Sequence, residues 1–239
     1  MKRLLRACKL TKIFCDIADI NLIKKFNNKK IVKGFTTNPS LMRKAGAKDY
    51  SNYSKEILKI TKKPVSLEVF ADDIKNMISQ GNKISRWGKS IYVKVPVTNS
   101  KGMFMGKVIN TLNKNNIKLN ITSVYSSNQT KQILKKINKK TKVIISIFAG
   151  RMGDVGKDPI PQIKQSIKFS KNYKNVQILW ASTREPYNYT QAKQLGCHII
   201  TVPPIIIEKI EKFGKSFQNL TTDTVKGFLT DTRKSKFKL

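Results

Sequence analysis

Residues 91–97 read Ile-Tyr-Val-Lys-Val-Pro-Val, a β-branched run with one lysine, Lys94, at its centre. Near-continuous runs of valine and isoleucine are typical of strands that are covered on both faces, as in parallel sheets. We therefore expect Lys94 to lie among packed side chains. Burial without a partner favours the neutral amine, which is the form that attacks carbonyl groups, so Lys94 is a candidate Schiff-base nucleophile. The alternatives are a surface position or a structural ion pair with Glu68.

Seven other short apolar runs are separated by polar segments with helical periodicity. The eight predicted strands are 13–18, 31–37, 65–70, 91–97, 119–125, 143–148, 176–181 and Ile199–Val202. Predicted crossover helices include 50–61, 72–87, 126–137, 161–172 and 187–195. Eight strand–helix units in 239 residues predict one α/β domain over 1–239, a single (β/α)8 TIM barrel. A doubly wound open sheet is the alternative, but its glycine-rich turn is missing after the first run, where Asp16-Ile17-Ala18-Asp19 stands.

The chain after the eighth run, over 205–213 and 224–237, predicts one or two amphipathic helices. Their apolar stripe includes Leu220, Val225, Phe228 and Leu229. We expect this C-terminal extension, about 214–239, either to cap the barrel or to dock on another subunit.

The chain carries 48 Lys+Arg against 14 Asp+Glu, a formal charge of +34. Such a balance is typical of proteins that bind nucleic acid or anionic membranes. The lysines are spread along almost every segment, however, as a general Lys/Asn/Ile bias of the coding sequence would leave them. A nucleic-acid partner is therefore not expected, although a non-catalytic polyanion-binding barrel remains an alternative. Phosphorylated substrates would be attracted in either case.

The cysteines and the histidine give no metal-ligand spacing. Cys8, Cys15 and Cys197 are widely spaced and odd in number, which favours a reducing compartment without disulfides. His198 is interpreted as a structural strand residue. The basic amino terminus lacks the apolar core of a signal peptide, and no stretch reaches the roughly 18 apolar residues of a membrane helix. We expect a soluble, cytoplasmic protein without a membrane partner.

Polar residues fall at the carboxyl ends of the predicted strands, where barrel enzymes place their active sites. Every strand except the last contributes at least one. The candidate site residues are Asp16, Thr36, Asn38, Glu68, Asn120, Thr122, Ser146, Phe148, Arg151, Ser182 and Arg184. For Asn120 alone, a buried structural hydrogen bond is as reasonable as a catalytic role. Structural hydrogen bonds do not readily explain why polar residues recur at the ends of seven strands, so the whole set favours an active site.

Together these groups suit Schiff-base chemistry on a sugar phosphate. A lysine nucleophile needs acid–base partners, and Asp16 and Glu68 supply two carboxyls. Arg151 and Arg184 form a fork suited to phosphate, with Ser182 as a further donor. The residues therefore predict a barrel of the class I aldolase type.

Several motifs resemble the transaldolase family in the same order. The segment 34–41, Gly-Phe-Thr-Thr-Asn-Pro-Ser-Leu, resembles its Thr-Thr-Asn-Pro-Ser-Leu signature, and 91–98 resembles the segment with the Schiff-base lysine. Asn-Ile-Thr-Ser at 120–123, Ser-Ile-Phe-Ala-Gly-Arg at 146–151 and Ala-Ser-Thr-Arg at 181–184 resemble later blocks. The resemblance implies a homo-oligomeric enzyme that needs no metal or organic cofactor. It implies transfer of dihydroxyacetone from sedoheptulose 7-phosphate or fructose 6-phosphate to an aldose phosphate in the pentose phosphate pathway.

The resemblance also implies a role for each motif residue. Lys94 would form the imine, Asp16 would exchange a proton with the substrate hydroxyl, and Glu68 with Thr122 would handle a water molecule. Asn38, Asn120 and Ser146 would hold hydroxyls, Thr36 would line the site, and Arg151, Arg184 and Ser182 would bind phosphate.

Two positions concern the choice between transfer and simple cleavage. Fructose 6-phosphate aldolases, a small branch of the same superfamily, characteristically have Gln where this chain has Glu68 and Tyr where it has Phe148. Phenylalanine cannot donate a proton, so both positions favour transfer, with fructose 6-phosphate aldolase activity as the alternative. The chain's short length resembles the small-subunit branch, in which rings of subunits are usual.

Overall fold

The computed structural model describes residues 11–237. Eight parallel strands pair in chain order around a closed barrel, and β1 closes it against β8. The strands are β1 Lys12–Asp16, β2 Val32–Thr36, β3 Val65–Glu68, β4 Ile91–Pro96, β5 Leu119–Val124, β6 Val143–Ile147, β7 Val176–Trp180 and β8 Ile199–Val202. This (β/α)8 architecture confirms the prediction and excludes the open sheet.

Helices connect the strands, and all except the last cover the outside of the barrel. They are α1 Ile20–Asn27, α2 Pro39–Lys44, α3 Tyr50–Ile60, α4 Ile74–Ser85, α5 Gly106–Lys114, α6 Ser127–Leu134, α7 Ala149–Gly153, α8 Ile160–Ser170, α9 Tyr187–Gln194, α10 Pro204–Ile210 and α11 Phe217–Ser235. Ser126 is the N-cap of α6 and forms a capping box with Gln129, at the start of the predicted helix 126–137. Between residues 11 and 237, none of the helices has the length and apolar character needed to cross a membrane.

Alternate residues of each strand face the barrel interior. One interior cluster contains Phe14, Tyr92, Ile144, Leu179 and Ile199, all buried. Gly34 leaves room for it, because a Cβ at that position would lie 2.6 Å from the Phe14 ring. Lys94 follows Tyr92 on β4 by two residues. In the same way, Asp16 follows Phe14 on β1 and Ser146 follows Ile144 on β6. The apolar cluster therefore forms a floor beneath the polar side chains of the C-terminal mouth.

The last helix does not pack on the barrel of its own chain. Helix α11 begins after its N-cap Ser216 and has no buried residue, with Phe217 and Phe228 88% and 69% exposed. It starts earlier than predicted because the Ser216 cap was not recognised in the sequence. Of the two alternatives expected for this helix, capping of its own barrel is excluded by its exposed stripe, and docking on another subunit stays a prediction.

The described cysteines, Cys15 and Cys197, are buried free thiols, and burial raises the pKa of each to about 12. Cys8 lies outside the described residues. The half-buried His198 accepts a hydrogen bond from the Ile178 amide at 3.1 Å, a contact between neighbouring strands.

Candidate active site

Lys94 is buried in the mouth of the barrel, with 7% of its surface exposed. Its Nζ lies 3.0 Å from Oε2 of Glu68 and donates to the Thr37 carbonyl, also at 3.0 Å. Glu68 and Lys94 are register partners on β3 and β4, which places the two side chains side by side. The surface alternative is therefore excluded, and the ion pair with Glu68 is present. A pair of this kind gives the amine a proton acceptor within hydrogen-bond reach.

Tyr50 fixes the position of Glu68. The Tyr50 hydroxyl donates to the Glu68 carbonyl at 2.9 Å and accepts from the Glu68 amide at 2.8 Å. Burial raises the pKa of Tyr50, so this hydroxyl keeps its proton. Tyr50 starts α3, and nothing in the sequence pattern points to its contact with the end of β3. It holds the backbone from which the Glu68 carboxylate reaches Lys94.

Asp16 lies at the end of β1, bound to the neighbouring strand. The Thr36 hydroxyl donates to Asp16 Oδ1 at 2.6 Å and lies 2.5 Å from the hydroxyl of Thr201. Burial raises the pKa of Asp16, and the charge of Lys94 and the Thr36 hydrogen bond oppose that rise. Asp16 is thus a carboxyl that holds its proton more readily than a solvated aspartate, as an acid–base group does.

Thr201 corrects the expectation that the eighth strand contributes nothing polar. It is buried, and it follows Ile199 of the interior floor by two residues. The period of two along a strand therefore directs both side chains into the barrel. The same reasoning applied to Ile-Ile-Thr-Val in the sequence could have found it.

A buried hydrogen-bonded chain crosses from β3 to β6. Asn120 donates through Nδ2 to Ser66 Oγ at 2.9 Å and accepts from Ser146 Oγ at 2.6 Å. Ser66 was missed in the sequence, although it precedes Glu68 by two residues and so shares its side of the strand. Asn120 has a structural role here and keeps one N–H for a further partner.

Thr122 is buried, and its hydroxyl has no hydrogen-bond partner within residues 11–237. It is the register partner of Pro96, two residues beyond Lys94. A buried hydroxyl of this kind is suited to bind a water molecule or a substrate group.

Asn38 and Phe148 follow the ends of β2 and β6. The Asn38 side chain accepts from the Leu41 amide at 2.9 Å and caps α2, with Pro39 in the first helical position. Phe148 is half-buried, and the Arg151 guanidinium lies 5.5 Å from its ring centre. Phe148 thus offers an apolar surface where a tyrosine would offer a hydroxyl.

The loops after β6 and β7 meet at the rim. A Cβ added to Gly150 would lie 1.6 Å from the Ser182 carbonyl oxygen, so only glycine allows this approach. Ser182 has a left-handed backbone, with φ 61°. This contact brings the segments of Arg151 and Ser182 together, as the predicted phosphate site requires.

Arg184 has a carboxylate partner in this structure. Its Nε donates to Asp154 Oδ1 at 3.0 Å, and its Nη2 forms a second contact with Oδ2. The hydrogen bond raises the pKa of Arg184 and lowers the pKa of Asp154. Both side chains are about half exposed. One of the two arginines of the predicted phosphate site is therefore already paired with Asp154, and a phosphate group would have to displace that carboxylate.

Fold and site together define a (β/α)8 barrel with an amine–carboxylate site at its C-terminal mouth. The family model described as transaldolase/fructose-6-phosphate aldolase matches residues 13–239, and the chain belongs to this family.

Two relatives match over almost their full length. The chain is 35% identical over 227 residues to a "Probable transaldolase" of Nitrosopumilus maritimus, which covers 94% of this chain and 96% of that protein. It is 33% identical over 229 residues to a "Probable transaldolase" of Thermoanaerobacter sp., covering 95% and 100%. Among solved structures, KGPDC from Streptococcus mutans matches with a TM-score of 0.55 at 9% identity, over 81% and 88% of the two chains. That likeness shows the fold alone.

Proposed function

We propose that this protein is a transaldolase. It transfers a dihydroxyacetone unit from sedoheptulose 7-phosphate or fructose 6-phosphate to an aldose phosphate, in the pentose phosphate pathway. The observation that carries the proposal is the buried Lys94 ammonium, 3.0 Å from the Glu68 carboxylate in the barrel mouth. Membership of the family and two relatives named "Probable transaldolase" support it.

Imine formation begins when Lys94 loses a proton to Glu68. The free amine attacks the ketone carbon of the donor, the ketone oxygen is protonated, and a carbinolamine forms. The nitrogen, positively charged after the attack, gives one proton to Glu68. The carbinolamine hydroxyl then takes up a proton and leaves as water, which gives the protonated imine. Glu68 and the buried hydroxyl of Thr122 hold the water that carries these protons.

Carbon–carbon cleavage depends on Asp16. The carboxylate takes the proton of the hydroxyl next to the bond that breaks, so that carbon becomes the departing aldehyde and the electron pair moves into the imine as an enamine. The enamine then attacks the acceptor aldehyde, and Asp16 returns the proton to the new hydroxyl. A carboxyl with a raised pKa suits this reversible exchange.

The remaining polar groups orient the substrate. The free N–H of Asn120, the Ser146 hydroxyl and the amide of Asn38 hold hydroxyls of the three-carbon unit. Thr36 keeps the Asp16 carboxyl in place. Arg151, Ser182 and Arg184 bind the phosphate, which displaces Asp154 from Arg184.

Phe148 directs the reaction toward transfer. Release of free dihydroxyacetone requires the enamine to be protonated and the imine hydrolysed, and a phenylalanine ring cannot donate a proton. The enamine therefore persists until an acceptor aldehyde arrives.

A coupled assay tests the reaction. Fructose 6-phosphate is supplied with and without erythrose 4-phosphate, and glyceraldehyde 3-phosphate and free dihydroxyacetone are both measured. We expect sustained product formation to require the acceptor, with little free dihydroxyacetone. Equal rates without the acceptor would instead establish an aldolase, and no turnover of either kind would overturn the proposal.

We further propose that α11 joins copies of this chain into a homo-oligomer. Phe217, Val225 and Phe228 are each more than half exposed, and an isolated helix gains little stability without tertiary packing. Light scattering should give a mass of several subunits. Phe228→Asp should lower that mass, whereas Thr230→Asp, an exposed site on the opposite side of the helix from the apolar stripe, should leave it unchanged. A wild-type monomer would contradict the proposal.

A further inference from the structure

The face of the barrel opposite the candidate active site carries a broad basic depression of about 1610 Å³. It is formed by the strand starts and the loops before them, such as Thr11 before β1, Pro64 before β3 and Asn175 before β7. The apolar floor of Phe14 and Tyr92 separates it from Lys94. The depression, which we call the basal face, is therefore independent of the proposed catalytic site.

The basal face gathers lysines from four separate stretches of the chain. Eight of its 22 lining residues are lysines, against 41 of 239 in the whole sequence, and none is Asp or Glu. The eight are Lys12, Lys30, Lys33, Lys139, Lys140, Lys142, Lys171 and Lys174. If lysines lined this face only as often as they occur in the whole sequence, about four would be present. Closure of the barrel has therefore brought lysines together on this face.

These charges have no carboxylate partner within residues 11–237. All eight side chains are exposed, and none takes part in any of the six ion pairs of that range. At the edge of the face, burial and then the charge of Lys142 lower the pKa of Lys118. An anion would relieve this repulsion and would find the lysines unoccupied.

Aromatic rings lie among the lysines. Tyr173 and Tyr189 are half-buried lining residues, and the Lys139 ammonium lies 5.6 Å from the Tyr173 ring centre. Lysines that neutralise phosphates beside aromatic rings on which bases stack are typical of surfaces for single-stranded nucleic acid. An inorganic polyanion would use the lysines alone.

We propose that the basal face binds single-stranded nucleic acid, independently of the sugar-phosphate reaction. The lysines contact the phosphodiester backbone, and Tyr173 stacks on a base. Recognition should show little sequence preference, because neither backbone charge nor stacking distinguishes bases strongly.

Fluorescence anisotropy with a labelled uridine dodecamer tests the proposal on the full chain across a series of salt concentrations. If four lysines contact phosphates, the slope of log K against log salt should be about −3. Lys139→Gln/Lys142→Gln/Lys174→Gln should weaken binding by tenfold or more and flatten the slope by about 2. The control Lys44→Gln/Lys55→Gln/Lys157→Gln removes the same charge from exposed lysines elsewhere, and it should change the affinity less than about threefold.

Two further measurements separate the sources of binding. Tyr173→Ala should weaken RNA binding about tenfold, whereas Tyr187→Ala, an exposed tyrosine outside the face, should not. Equal effects of the two lysine triples would overturn the proposal in favour of net charge. Displacement of the RNA by an equal phosphate concentration of polyphosphate, with no effect of Tyr173→Ala, would assign the face to inorganic polyanions. Absence of RNA binding while transfer activity persists would also overturn it.

Discussion

Replacing Gly150 by alanine should impair reactions of phosphorylated substrates. The new Cβ would lie 1.6 Å from the Ser182 carbonyl oxygen, whereas real Cβ contacts are at least 3.0 Å long, so the two rim loops must separate by about 1.4 Å. Overpacking of this kind costs about 1–3 kcal/mol of folding stability. A displacement of roughly 1 Å in a positioning group costs on the order of 100-fold in rate. Because these loops carry Arg151 and Ser182, the loss should concentrate on phosphate recognition.

The assay compares kcat/KM for fructose 6-phosphate and for unphosphorylated fructose with the same acceptor aldehyde. We expect Gly150→Ala to lose about 100-fold with the phosphorylated donor and much less with fructose. Gly153→Ala is the matched control, since it lies in the same helix and its Cβ would meet nothing within 4 Å. It should retain activity and gain about 0.5–1 kcal/mol of stability from the better helix former. Equal behaviour of the two variants, or an equal loss with both donors, would refute the reasoning.

Three other variants test the site. Glu68→Gln leaves the buried Lys94 ammonium without its carboxylate, so urea unfolding should show a loss of about 3 kcal/mol; unchanged stability would mean that the pair is not formed. Asp16→Asn should lose most turnover and yet unfold at a higher urea concentration at pH 7. The raised pKa means that the folded protein binds the Asp16 proton more tightly than the unfolded chain does, so stability falls as pH rises from the ordinary carboxyl pKa through the raised one. The advantage of the variant should therefore shrink toward acid pH, and a constant advantage would contradict the assignment. Phe148→Tyr should increase release of free dihydroxyacetone without an acceptor, and unchanged release would show that the ring does not control protonation.

The sequence predicts the barrel well because each strand carries its own signal. The apolar runs around Lys94 and Ser146 are buried on both faces, so they contain enough valine and isoleucine to be recognised without partners. Asp16, Glu68 and Lys94 stand out because charged residues are rare in such runs. Ser66 and Thr201 were missed because small hydroxyl residues are common inside strands and do not stand out in an apolar run.

Contacts made by barrel closure were beyond the sequence patterns. Tyr50 reaches the backbone of Glu68 from a helix 18 residues earlier, and Arg184 meets Asp154 across two loops. The lysines of the basal face come from strand starts and loops far apart in the chain, so they look scattered until the strands close. Hydrophobic periodicity predicts which side of a strand or helix a residue lies on. It does not predict which distant loop packs beside that residue.

The most direct test of the central claim is to trap the imine. The protein is treated with sodium borohydride in the presence of fructose 6-phosphate, and its peptides are analysed by mass spectrometry. The chain contains 41 lysines, so modification of one position is discriminating. We predict a single reduced three-carbon adduct on Lys94, absent in Lys94→Arg. In Asp16→Asn, which forms the imine but cannot cleave it, Lys94 should instead carry the reduced six-carbon adduct of intact fructose 6-phosphate. An adduct on another lysine, or none in a protein that catalyses transfer, would contradict the account.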